Sequence, residues 1–389
     1  MRIGIDISRY FDKSGGIGIY AANLLKYLLK IDKNNEYNAY SFFYDCFPPN
    51  WKDKRMIGRF KRISKRIVFA QTNLPTTFLK KKWINSSIEY KEKMLGNVDI
   101  IHSTAYMIPE LFNSKLIVTI HDLSFLIFPE YHTQENYQLV LKNLIYLNSR
   151  PYMVICDSEQ TKKDVIKYFH VPEEKLKVIY LGVDDKFTKE VDKNKKAKVL
   201  KKYNLAKDYL LCVSSIEPRK NFLRIINVFS QLIKKKEYRN LRLVCVGGKG
   251  WKNTEIYEKV KKKNLESVVR FLGYLEEDEL PHIYNGAKLF LYPSLYEGFG
   301  LPVLEAMARK VPVVTSNVSS LPEVAGDAAI MINPYSEKEL FDSMLALLEN
   351  DEKRGELISR GIKNAKRFNW GKTAKNTLQV YKEVYKNDF

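Results

Sequence analysis

At 389 residues, with 45% hydrophobic and 28% charged side chains, the chain is long for one hydrophobic core, and two globular domains are the expectation. No run reaches the roughly 18 uninterrupted apolar residues of a membrane span; the longest candidate, LIVTIHDLSFLIF, is broken by His121 and Asp122. The net charge of +20 favours polyanions, but no zinc-finger spacing, RNP-type aromatic motif or KH loop accompanies it, so nucleic acid is not expected as a partner.

The start, MRIGIDIS, enters an alternating strand without an apolar leader. Cys46, Cys156, Cys212 and Cys245 lack metal or disulfide spacing and read as buried thiols of a reducing compartment. The expected location is therefore cytoplasmic. Strand RIGIDI leads through SGGIG into the helical IYAANLLKYLLKI. Gly15, Gly16 and Gly18 suit either a tight turn or close approach of backbone to a phosphate or an acceptor. The segment KDKRMIGRFKRISKRIVF, opening at Lys52 and closing at Phe69, sets eight cations against one acid, with Met56, Phe60, Ile63 and Ile67 at helical spacing. It reads as a basic amphipathic helix, either packed on its own core with a solvated basic face or docked on an anionic membrane surface.

Strands VDIIHS, KLIVTIHD and YMVICDS follow, the last leading into the helix EQTKKDVIKYF. The charged KFTKEVDKNKKAKVLKKYNL is a linker and the approach to a second series: YLLCVSSIEPRKN, LRLVCVGGKG, VVRFLGYL, AKLFLYPSLYEG and VPVVTSN. Such alternation of strand and helix indicates α/β domains with parallel sheets. The expected organisation is a first domain over residues 1–184, a second over 185–367, and an amphipathic C-terminal helix over 368–389 that crosses back to the first. Doubly wound sheets bind ligands outside the carboxyl ends of their strands. His102, the His121–Asp122 pair, the Arg219–Lys220 pair and Glu297 all follow strands there.

The densest motif is SLYEGFGLPVLEAM. Pro302 suits the first turn of a helix, where its missing N–H costs nothing. Backbone N–H groups around Gly300, Leu301 and Val303, with the helix dipole, favour an anion. Gly298 and Gly300, flanking Phe299, permit close backbone approach. Ionised carboxylates only accept hydrogen bonds, so Glu297 and Glu305 beside a phosphate would receive hydroxyls. The parts describe a nucleotide-linked sugar, with phosphate on amides, one carboxylate on ribose and the other on a hexose. The plainer alternative is a solvated loop in which SLYE imitates a capping box.

EGFGLPVLE resembles the E-x7-E motif of retaining glycosyltransferases of family 4, which have the GT-B fold of two facing Rossmann-like domains. SGGIGIY, HD at 121 and 122, EPRKN at 217–221 and FLGY at 271–274 extend the resemblance over nearly the whole chain. It implies Glu297 on the donor hexose, Glu305 on the nucleotide ribose, and Arg219 and Lys220 on the departing diphosphate, with Glu217 orienting Arg219. Gly273 and Tyr274 match the turn whose backbone reads the base, His121 matches a histidine beside the donor sugar, and Gly15 and Gly16 lie in the loop placed over the reaction centre. Asp122 either orients His121 or shapes its loop, and His102 is assigned to the acceptor side. The branch most similar is that of bacterial mannosyltransferases of surface polysaccharide synthesis, which implies GDP-mannose as donor and a glycan or lipid-linked glycan as acceptor. On this reading the protein works at the inner face of the membrane. The sequence shows no D-x-D pair at a strand end and no His or Cys cluster with metal spacing, so no divalent metal and no cofactor are expected. The remaining alternatives are another chemistry on the same fold, such as a nucleotide-sugar epimerase or a phosphorylase, and a non-catalytic sugar-binding protein.

Overall fold

The computed structural model describes residues 1–11, 15–40, 54–69, 85–111, 113–205, 208–276 and 278–386; Cys46, Lys52, Asp53 and the side chains of 54–57 lie outside this description. Two compact units emerge. The first comprises Met1–Leu123, Glu135–Gly182 and Trp370–Phe389, and the second Ser124–Gln134 and Val183–Asn369.

The first unit is built on seven strands: β1 (Arg2–Asp6), β2 (Glu36–Tyr40), β3 (Ile67–Phe69), β4 (Ile100–Ser103), β5 (Lys115–Ile120), β6 (Met153–Cys156) and β7 (Leu176–Val178). They run parallel in the order β3-β2-β1-β4-β5-β6-β7. The inner strand β6, MVIC, is buried along its whole length, which is why it reads as a continuous apolar run and not as an alternating one. The order reverses between β1 and β4. Helix Gly15–Ile31 follows β1, and Gly18 is dictated there by packing, since a Cβ would lie 2.6 Å from the Arg9 carbonyl oxygen.

The C-terminal helix Trp370–Lys386 belongs to this unit. Trp370 meets Tyr20 at 6.1 Å between ring centroids, Thr373 donates to the Tyr180 carbonyl at 2.7 Å, and the Tyr381 hydroxyl lies 2.6 Å from His102 Nδ1.

The basic segment departs from the expected single helix. It is helical only over Lys54–Ile63, and Ile67 enters edge strand β3. The spacing that puts Ile67 on a helix face also satisfies a strand beginning there, and burial of Ile67 beside β2 decides the outcome. Phe60 is buried against Tyr10 and Phe69, at centroid distances of 6.0 and 6.3 Å. Arg59, Lys61, Arg62 and Lys65 remain exposed.

The second unit carries β8 (Tyr209–Val213), β9 (Arg242–Val246), β10 (Val269–Gly273), β11 (Leu289–Tyr292), β12 (Val313–Ser316) and β13 (Ile330–Ile332), parallel in the order β10-β9-β8-β11-β12-β13. Its core packs Ile225, Phe229 and Leu232 of helix Phe222–Leu232 with Leu340 and Met344 against the sheet. The order reverses between β8 and β11, so the residues that follow these two strands flank the switch point where doubly wound sheets bind ligands.

Residues 124–134 group with this second unit, whereas the sequence reading puts them inside the first domain. Aromatic packing is the reason. Phe128 stacks on Tyr131 at 5.5 Å and lies 6.2 Å from Tyr296, and His132 lies 6.0 Å from Trp251. Lys252 also donates to the Glu130 carbonyl.

Candidate active site

Arg219 and Lys220 sit in the short 3-10 turn Pro218–Lys220 after β8, and Glu297 in the loop after neighbouring β11. The two loops are stitched together by the backbone, Leu295 N–H donating to the Arg219 carbonyl at 2.9 Å. Asn221, with φ of 65°, closes the turn in the left-handed region that asparagine tolerates, and its amide donates to the carbonyls of Pro293 and Pro334. Ser320 donates to the carbonyls of Glu297 and Phe299, while Glu297 N–H donates to Ser319 Oγ. The loop carrying Gly298 and Phe299 is thereby held in one conformation, both residues buried.

The charges meet in that frame. Glu297 Oε1 accepts from Lys220 Nζ at 2.6 Å, and Oε2 from Arg219 Nη1 at 3.3 Å. Arg219 is fixed further by Glu217 at 2.8 Å, as the sequence anticipates, and by the Tyr296 carbonyl at 2.7 Å. Burial opposes ionisation of Glu297, but Lys220 and Arg219 overcome it and hold the carboxyl at about 2. Two cations and two carboxylates thus occupy the carboxyl ends of β8 and β11, nearly closed to solvent.

Glu305 lies in the helix Leu301–Ala308, whose N-cap is Gly300 at φ of 108°. Gly300 is needed twice over: its φ is in the left-handed region, and a Cβ would meet Leu321 Cδ2 at 2.8 Å. One expectation is corrected here. Val303 N–H donates to the Gly300 carbonyl at 3.0 Å, so it is spent inside the chain and not on an anion. Glu305 differs from Glu297 in its environment. Among the described residues no ion pair of that kind is formed by it, and its Oε2 accepts from the Tyr284 hydroxyl at 2.9 Å. Burial raises its carboxyl to about 7 despite the opposing Lys186 and Tyr284. Gly273, at the end of β10 with φ of 69°, leads into Tyr274, which is 57% exposed.

In the first unit His121 follows β5. Its Nδ1 lies 2.6 Å from Asp157 Oδ2 and its Nε2 2.8 Å from the Thr104 carbonyl. Asp157, not Asp122, therefore orients the ring; Asp122 engages the Tyr106 hydroxyl through its backbone N–H and C=O. Sequence reading missed Asp157, although it stands at the end of strand YMVIC in the position that singled out His121 and Glu297. His102 is not on a surface. It is fully buried, its ring nitrogens occupied by Tyr381 and by Thr119 Oγ1 at 2.7 Å, and burial depresses its pKa to about 3. That is a neutral core residue with no nitrogen left for an acceptor. Gly15 and Gly16 begin helix Gly15–Ile31, and no described atom lies within 4 Å of a Cβ built on either. Among the described residues no three His, Cys, Asp or Glu side chains gather as a metal site would require.

The two glutamates have opposite consequences for stability. Glu305 is raised from 4.5 to about 7, so the folded state keeps a proton that the unfolded chain releases, and stability falls as pH rises through that window. Glu297 is lowered from 4.5 to about 2, so its contribution is complete above 4.5 and is lost as pH falls through 2. At about pH 8, Glu305→Gln should stabilise the empty protein and Glu297→Gln should destabilise it, each by about 3 kcal/mol. Denaturant titration of both variants, repeated at about pH 4, checks this; the gain from Glu305→Gln should disappear at the lower pH.

Comparison with known proteins agrees with this geometry. Residues 14–187 match the family Glycosyltransferase Family 4, and residues 191–364 match Glycosyl transferases group 1. O-antigen chain mannosyltransferase B of Escherichia coli is 32% identical over 284 residues, covering 73% of this chain and 74% of that protein. O-antigen chain mannosyltransferase RfbU of Salmonella typhimurium is 30% identical over 269 residues, 68% of each. The Anabaena protein HepE, crystallised with UDP and glucose, superposes with a TM-score of 0.74 over 98% of this chain and 100% of its own, at 17% identity, a likeness of fold alone. The two Rossmann-like units are those of the GT-B fold, and the chain belongs to the glycosyltransferases of family 4 and group 1.

Proposed function

We propose that this glycosyltransferase moves mannose from GDP-mannose, with retention of configuration, to a hydroxyl of a glycan or lipid-linked glycan in surface polysaccharide synthesis. The observation that carries the reading is the Lys220–Glu297–Arg219 cluster at the switch point of the second sheet. Fixed cations there can take up the charge that grows on a departing diphosphate without a metal. Mannose and the glycan acceptor are supported by the relatives, two of which are O-antigen chain mannosyltransferases.

In this reading Arg219 and Lys220 bind the diphosphate, Glu305 the ribose, Glu297 the hexose, and the backbone at Gly273 and Tyr274 the base, with the loop Gly298 to Leu301 against the phosphates. His121 and the glycines at 15 and 16 serve the sugar and its acceptor. The bond from the anomeric carbon to the phosphate oxygen breaks, and its electrons stay on that oxygen. The acceptor oxygen then bonds the anomeric carbon on the same face, and its proton passes to the leaving phosphate. In this reading the carboxylate of Glu297 faces the sugar as positive charge develops on it. A competing chemistry on this fold, or a protein that only binds sugar, would not produce this transfer.

The exposed Arg59, Lys61, Arg62 and Lys65 add a membrane role to the proposal: an electrostatic seat on anionic lipid, at the cytoplasmic face where a lipid-linked acceptor would be met. Phe60 is turned inward against Tyr10 and Phe69, so the proposed attraction rests on the exposed cations and not on insertion of that ring.

Two measurements test these claims. Incubation with a panel of nucleotide sugars, with and without chelator, should release nucleotide from GDP-mannose fastest and at the same rate in chelator; an equal rate from every donor would remove the mannose assignment, and chelator-dependent loss rescued by magnesium would remove the metal-free one. Sedimentation with phosphatidylglycerol vesicles should show binding that falls with salt and is lost when Arg59, Lys61, Arg62 and Lys65 become glutamine, each cation contributing about 1 kcal/mol. Undiminished binding of that variant would rule the lipid seat out.

A further inference from the structure

Beyond the cluster of the second unit, the first unit holds a buried pair, His121 with Asp157, whose aspartate the family resemblance leaves unassigned. Strands β5 and β6 pair in register, Ile120 beside Cys156, so the next residues, His121 and Asp157, emerge side by side. Asp157 is followed by Ser158, the N-cap of helix Glu159–Phe169, which accepts from Thr161 N–H. The strand end and the cap together fix where the carboxylate points.

The hydrogen bonds determine the state of the ring. A carbonyl oxygen only accepts, so Nε2, at 2.8 Å from the Thr104 carbonyl, carries a hydrogen. Nδ1, 2.6 Å from Asp157 Oδ2, shares a second proton with the carboxylate. The second carboxylate oxygen, Oδ1, is buried without a hydrogen-bond partner among the described residues, so the charge of Asp157 is committed to His121.

The other groups around the ring do not compete. Tyr20 lies edge-on at 4.9 Å and Tyr106 at 6.0 Å. Burial, with the charge of Asp157, keeps the Tyr20 phenol protonated, and burial keeps His102 neutral. The charges facing His121 are thus the carboxylates of Asp157 and Asp122. Burial alone would favour the neutral ring, but the charge and hydrogen bond of Asp157 overcome it and raise the pKa of His121 above its usual value.

We propose that Asp157 is the positioning residue of His121, fixing the ring as an imidazolium with both N–H bonds directed into the protein. Resting on the reading that His121 serves transfer, this gives the histidine the role of a fixed, oriented charge and not of a proton acceptor. The acceptor's proton then has to leave by another route, as transfer to the leaving phosphate oxygen requires.

Nitrogen-15 histidine spectra and pH-dependent kinetics test it. In the wild type at about pH 8 both ring nitrogens of His121 should be protonated, whereas in Asp157→Asn, with burial no longer opposed by that charge, the ring should be neutral at pH 8 and titrate below its usual value of about 6.5. The kcat/KM of Asp157→Asn should fall at least about tenfold at pH 8 and recover toward wild type only at a pH low enough, below about 6.5, to protonate the ring, with Asp157→Glu retaining most activity at both the high and the low pH. Ordinary titration of His121 in the wild type would overturn the proposal. So would an equal loss at both pH values, the signature of a merely structural aspartate. Absence of any sugar transfer by the wild type would count against the glycosyltransfer reading separately, because the spectra do not depend on turnover.

Discussion

Two cations held beside one another in a buried site need anions: Glu217 pairs with Arg219 alone, and the anion that the two cations share is Glu297. Arg219 and Lys220 both reach its carboxylate, which compensates their charge. A buried ion pair contributes little net stability over an apolar packing, but leaving one partner alone is costly. This explains the care with which the surrounding loop is tied down by Asn221, Ser319 and Ser320. It also explains why the cluster sits between β8 and β11. Adjacent parallel strands whose connections run to opposite sides of the sheet leave their following loops side by side, and a carboxylate and two cations can then meet from segments 77 residues apart.

The same logic operates in the first unit with weaker charges. Asp157, His121 and Thr104 link the ends of β6, β5 and β4, and Thr104 Oγ1 donates to the Asp6 carbonyl at the end of β1. Asp6 in turn accepts from the Ser8 N–H and hydroxyl, while burial raises its carboxyl to about 6. A continuous chain of polar contacts therefore ties together four strand ends that would otherwise present unsatisfied groups to a buried edge. Below it, Tyr381 of the C-terminal helix closes on His102, so the last residues of the chain help fill the core of the unit formed by the first.

Much of this was legible in the sequence because strand ends and glycines are local signals. Glu297, Arg219 and Lys220 could be found from apolar runs that stop at charged residues, and Gly300 from the turn it must make before Pro302. Asp157 could not. It lies 36 residues from its histidine, and an aspartate followed by serine before a helix reads as ordinary capping. His102 misled for the opposite reason, since a strand-end histidine looks the same whether it faces a ligand or a tyrosine 279 residues away. Ile67 fitted two periodicities at once, and only pairing with β2 decides between them. The grouping of residues 124–134 with the second unit rests on rings whose partners, Tyr296 and Trp251, are distant in sequence.

If Arg219 and Lys220 bind the diphosphate, that ligand and Glu297 compete for the same cations. Calorimetric titration of GDP into the wild type and into Glu297→Gln measures that competition without turnover, acceptor or membrane. Removing the carboxylate charge should free Lys220 and Arg219 for the ligand and tighten GDP binding, by about tenfold for a difference of about 1.4 kcal/mol. Weaker binding to Glu297→Gln than to the wild type would contradict the shared use of these cations and, with it, the assignment of this cluster to the diphosphate.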